Sequence, residues 1–109
     1  NDQSNSRHNI RNGERLSDAV DVFVRKEHFG LIFLECLRHP RLGGFGVYNN
    51  ALFKGSWDDY FMLHLDTRPE RMLWAADREK GKASAFTYYS ITRNPAMYFV
   101  TLGRMGATI

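Results

Sequence analysis

Asp59-Tyr-Phe-Met-Leu-His-Leu65, running into Asp66-Thr-Arg-Pro69, is the stretch on which the fold turns. Aromatic and large apolar residues fill it and a turn bearing Asp and Pro closes it, so it predicts a β-strand. Alternation puts Tyr60, Met62, His64 and Asp66 on one face, opposite Leu63 and Leu65. Towards the C-terminus the same character recurs. Arg71 to Ala76 reads as the next strand, the charged Asp77-Arg-Glu-Lys-Gly81 as a connection, and Ala85 to Ile91 as a third strand carrying Phe86, Tyr88 and Tyr89. Asn94-Pro95 marks a turn. Met97 to Leu102 is predicted to be the last strand, with Arg104 at a tip framed by Gly103 and Gly106. Towards the N-terminus, Arg41-Leu-Gly-Gly-Phe-Gly46 reads as a loop by its glycines. Before it, Val20, Phe23, Val24, Leu31, Leu34 and Leu37 recur at mixed helical spacing until Pro40 ends the run. Ser17 is placed to cap that run and Gly30 interrupts it, giving one bent helix or two short ones. Residues 1–15 read as a polar arm and 16–109 as a single domain. The expected class is α+β, with helices packed on one face of a twisted antiparallel sheet.

Composition narrows the function. A chain of 109 residues suits one modest core and excludes a large two-domain enzyme or a doubly wound nucleotide-binding fold. With 43% apolar and 14% aromatic residues it is too apolar to stay disordered. One cysteine can form neither an internal disulfide nor a structural zinc cluster, so a reducing, cytoplasmic location is expected and Cys36 reads as core. The longest apolar stretch, Phe29-Gly-Leu-Ile-Phe-Leu34, falls far short of the roughly 20 residues of a membrane-spanning helix. Asn1-Asp-Gln-Ser-Asn-Ser6 lacks the apolar centre of a secretory signal, and a start without Met is expected of a trimmed or processed chain. The net charge of +3 is spread along the sequence. It serves a polyanionic partner only where its cations meet in space.

Leu52-Phe-Lys-Gly-Ser-Trp57, Tyr60, His64-Leu-Asp66, Arg71-Met-Leu-Trp74 and the closing Tyr98-Phe-Val-Thr-Leu-Gly-Arg-Met-Gly-Ala-Thr-Ile109 together resemble the RelE/YafQ-like bacterial toxins. The resemblance covers about half the chain, from Leu52 to Ile109. It implies a RelE-like, microbial-ribonuclease-like fold and a metal-independent endoribonuclease that cleaves mRNA, often on the ribosome, as the toxin of a toxin–antitoxin pair. The partners it implies are mRNA, the ribosome and a cognate antitoxin protein, with no membrane and no cofactor. Met105 stands where the YafQ-like branch carries His. Lys54, Arg71 and Arg104 therefore fit the RelE-like branch, in which Lys and Arg do the work.

Cleavage of that kind needs a group to take the 2′-hydroxyl proton, positive charge for the developing phosphorane and a donor to the leaving 5′-oxygen. His64 suits the proton, with Asp66 on the same face to orient it. Arg71 and Arg104 offer guanidinium forks for phosphate oxygens, Lys54 is a further cation, and Arg68 stands in reserve. Trp57 and Tyr60 suit base stacking, whereas Trp74 reads as core. Tyr88 and Tyr89 point to opposite faces, so one of them at most meets a ligand. Asp58-Asp59 diverge in an extended chain and make a poor metal clamp. Gly43-Gly-Phe-Gly46 lacks the Lys-Ser/Thr of a phosphate cradle. The cleavage reading requires Lys54, His64, Arg71 and Arg104 to converge on one face. The alternatives are a non-catalytic RNA-binding or protein-interaction module on a similar scaffold, and a small structural protein.

Overall fold

Val20, Val22 and Val24 alternate with Asp21, Phe23 and Arg25. That period of two makes Ala19–Arg25 a strand, β1, where mixed helical spacing had predicted a helix. The computed structural model describes residues 18–107, so the expected polar arm over 1–15 and the Ser17 cap lie outside the described residues. A short 3-10 turn at Lys26–His28 follows, and helix α1 spans Phe29–Arg38. Phe29 and Phe33, one helical turn apart, point into the core, and the helix stops before Pro40. The break expected at Gly30 falls instead between β1 and α1.

Gly44–Tyr48 is strand β2 at the centre of the sheet, so the second half of the loop expected over Arg41 to Gly46 is a strand. Tyr60–Asp66 is β3, Met72–Asp77 is β4 and Thr87–Ser90 is β5, each close to its predicted place. The segment expected to end the sheet is helix α2, Pro95–Arg104. Asn94 explains why: its side chain accepts from the Met97 N–H at 3.2 Å, and Pro95 is preset for the first turn. Tyr98, Leu102 and Met105 then recur on one buried face at helical spacing.

The five strands lie in the order β1-β3-β2-β4-β5. Every neighbouring pair is antiparallel except β2 and β4, which are parallel, so the sheet is mixed rather than wholly antiparallel. Between β3 and β4 the chain steps across the end of β2. Gly43 donates its N–H to Asp66 O at 2.9 Å and accepts from the Met72 N–H at 2.8 Å. A Cβ at Gly43 would fall on the Arg68 carbonyl, so only glycine permits the crossing. Both helices pack on one face, where Phe45, Val47, Phe61, Leu63 and Ala75 meet Phe29, Phe33, Tyr98 and Leu102. The class is α+β. Among the described residues no helix covers the opposite face.

Candidate functional site

The strand registers sort the open face into transverse rows about 7 Å apart, two residues along each strand. The middle row reads Asp21, His64, Gly46, Trp74, Ser90 from β1 to β5. The row on one side holds Asp66, Gly44 and Met72, and on the other lie Phe23, Met62, Tyr48, Ala76 and Tyr88. Gly44 and Gly46 are the key to this face. A Cβ at Gly46 would fall inside the Trp74 indole, and one at Gly44 would meet the Asp66 carboxylate and the Arg68 guanidinium. The strand expected to be a loop is glycine-rich because larger side chains lie across it.

Asp66 is the centre of a charged network. Only 1% exposed, it accepts from the backbone N–H groups of Gly44 and Arg68, from the Arg68 guanidinium at 2.6 to 3.0 Å, and from His64 Nε2 at 2.7 Å. Burial alone would raise its carboxyl. The hydrogen bonds from Arg68 and His64 and the Arg68 charge outweigh burial and hold it well below the usual carboxylate range. His64 Nδ1 faces Asp21 Oδ1 at 3.2 Å, so both ring nitrogens lie against carboxylates. Asp66 thus orients His64 as alternation predicts. Among the described residues no group of His, Cys, Asp and Glu is arranged to hold a metal ion.

Beside this network lies a groove of about 510 Å³. Tyr48, Trp74 and Tyr88 give it aromatic walls, Arg68 and Arg93 give it charge, and among the described residues no carboxylate lines it. Trp74 donates its indole N–H to the Tyr48 hydroxyl at 3.1 Å, and burial drives that phenol well above its ordinary range. The indole sits 5.1 Å from the His64 ring and 5.4 Å from the Arg68 guanidinium carbon, between His64 and the groove. Trp74 is therefore half-buried on the open face, not part of the helix-side core. Tyr88, unlike Tyr89, belongs to this face.

The other sequence-predicted residues separate. Arg71 donates to the carbonyls of Leu37, His39 and Leu42, closing the C-terminal end of α1 on the helix side. Arg104, at the end of α2, pairs with Asp77 at 3.1 Å, also on the helix side. Lys54 occupies a two-residue turn between Phe53 and Ser56 with φ at 51°, and its ammonium lies over the Phe53 ring. Trp57 lies under the Arg78 guanidinium. Tyr60 packs on Phe53 and accepts from Arg25 at 3.4 Å. So His64, Asp66 and Arg68 come together, whereas Arg71 and Arg104 leave for the opposite face and Lys54, Trp57 and Tyr60 lie outside the groove.

No known relative fills in the function. Comparison with family models, with curated proteins and with solved structures finds no significant match to this chain. The site rests on its own geometry. Sequence reasoning missed Asp21, Tyr48, Trp74, Ser90 and Arg93 as members of this face. Gly44 and Gly46 were the available signal: alternate glycines in a strand reserve one face for something lying across it.

Proposed function

We propose that the chain binds single-stranded RNA on the open face of its sheet. The observation that carries this reading is the groove, in which two arginines and three aromatic rings meet with no carboxylate among the described lining residues. Stacked aromatics accept bases with little regard to sequence, and guanidinium groups meet phosphate. An oligonucleotide titration tests it. Binding should fall about tenfold or more in Trp74→Leu, the loss of one stacked base, and stay unchanged in Arg104→Ala. Equal binding by wild type and Trp74→Leu would overturn it.

A second reading, metal-independent RNA cleavage in the manner of the RelE/YafQ-like toxins, is favoured by His64 standing against Asp66 and Arg68. In it Asp21, whose side chain is 40% exposed, swings away from Nδ1, and that nitrogen takes the 2′-hydroxyl proton. The 2′-oxygen attacks the adjacent phosphorus, Arg68 meets the phosphorane charge, and the 5′-oxygen leaves, taking its proton from solvent water, to give a 2′,3′-cyclic phosphate. Messenger RNA, the ribosome and an antitoxin are the partners of that reading. Incubation with RNA in chelator separates the two. Cyclic-phosphate ends lost in His64→Ala support cleavage, and intact RNA both free and on ribosomes leaves binding alone.

A further inference from the structure

We propose that the groove is a site for one nucleotide, with the base stacked on the aromatic wall and the phosphate held by Arg93 and Arg68. The inference rests on the RNA-binding reading for the class of ligand and deepens it. Three observations carry it.

The first is size. At about 510 Å³ the groove has the size of a pocket for a single small ligand. Beyond Tyr48 and Tyr88 stands Phe86, edge-on to Tyr48 at 5.1 Å, with the Arg78 guanidinium packed on its ring at 4.0 Å. At the opposite side Arg68 and Met72 form the wall, and Trp74, leaning over Gly46, separates the groove from His64.

The second is what the groove still offers for bonding. The Trp74 N–H is engaged by the Tyr48 hydroxyl, so the indole presents a ring and no donor. Tyr88 is 59% exposed, the largest open aromatic surface in the groove. This wall suits the flat face of a base.

The third is the state of the two cations. Arg68 gives Nε and Nη2 to Asp66, while Nη1 meets only the Met72 thioether, a weak acceptor, at 3.0 Å. The side chain of Arg93 makes no hydrogen bond or ion pair among the described residues. Two guanidinium edges are thus available to an oxyanion, one fixed in place by a buried carboxylate and one able to close. Neither needs to break a strong contact to bind.

Competition and fluorescence on the full chain test this. A labelled RNA oligonucleotide is displaced from wild type by a nucleoside 5′-monophosphate, by the nucleoside alone and by inorganic phosphate. In parallel, Trp57→Phe leaves Trp74 as the one fluorescent tryptophan. The monophosphate should quench Trp74 and compete at least about tenfold better than the nucleoside, since a charge-assisted contact is lost with the phosphate. Arg93→Ala should cut that advantage severalfold, and an undiminished advantage would overturn the role given to Arg93. An oligonucleotide that binds while the monophosphate neither competes nor quenches overturns the one-nucleotide pocket and leaves RNA binding standing. A monophosphate that binds while the oligonucleotide does not supports the pocket and overturns the RNA reading. Displacement by phosphate as effective as by the monophosphate also overturns the pocket, because the aromatic wall would then contribute nothing.

Discussion

Arg68 and Arg71 lie three positions apart and act on opposite sides of the sheet. Arg68 is fixed to a carboxylate that is 1% exposed, whereas Arg71 closes the last turn of α1 through three carbonyls. Their substitutions should therefore separate. Arg71→Ala should lower stability by about 0.5–1.5 kcal/mol through hydrogen bonds lost at exposed positions, read by thermal unfolding, while RNA affinity stays within twofold or so of wild type. Asp66→Asn should cost about 3 kcal/mol, because it leaves a partly buried guanidinium without its anion. Asp66 also sets an acid limit. Its carboxyl is held lower in the folded chain than in the unfolded chain, so its contribution is complete above the ordinary carboxylate range and is lost progressively as pH falls below that range towards the lowered folded value. The melting temperature of wild type should accordingly decline below about pH 4, and Asp66→Asn should show a shallower decline. The pairing of His64 with Asp66 was legible from alternation. The fate of Arg71 was not, because it depends on carbonyls of a helix about 30 residues earlier in the chain.

At the scale of elements, β2 and α2 show where periodicity misleads and why. The Gly-Gly-Phe-Gly run has loop composition, yet Phe45 and Val47 alternate into the core while Gly44 and Gly46 lie under Asp66, Arg68 and Trp74. Nothing local distinguishes a glycine that frees the backbone from one that makes room for a ring on the next strand. Gly46→Ala tests this account of β2. The added methyl would displace the indole, so a loss of about 1–3 kcal/mol and a red shift of Trp74 fluorescence are expected. Unchanged stability with unchanged emission would contradict it. Met97 to Leu102 misleads in the other direction, since Tyr, Phe and Val favour strands. The Asn94 cap with Pro95 and the Tyr98–Leu102–Met105 spacing override that preference. β3, β4 and β5 were legible because aromatic and branched runs there are bounded by clear turns.

Over the whole molecule, the net charge of +3 acquires a location. The cations do not converge as a quartet of Lys54, His64, Arg71 and Arg104. Two arginines share the open-face groove, and Arg68 is already neutralised by Asp66. Affinity for RNA should therefore depend only modestly on salt. About one phosphate, gripped by both arginines, gives a slope near −0.7 in a plot of log affinity against log salt concentration, and a slope beyond about −4 would require a cationic surface elsewhere. The α+β class was legible from the mixture of helical and strand-like runs. The split arrangement, in which β3 lies between β1 and β2 and both helices share one face, depends on long-range pairing that no local pattern contains. The face that no helix covers among the described residues is the consequence of that arrangement and the basis of the functional reading. Its most direct test is an NMR titration of the isotope-labelled chain with a short single-stranded RNA. The account predicts shifts at the Trp74 indole N–H and at the amides of Arg68, Tyr88, Ser90 and Arg93, with Arg71 and Arg104 unmoved. Shifts confined to α1 and α2, or none at saturating RNA, would contradict it.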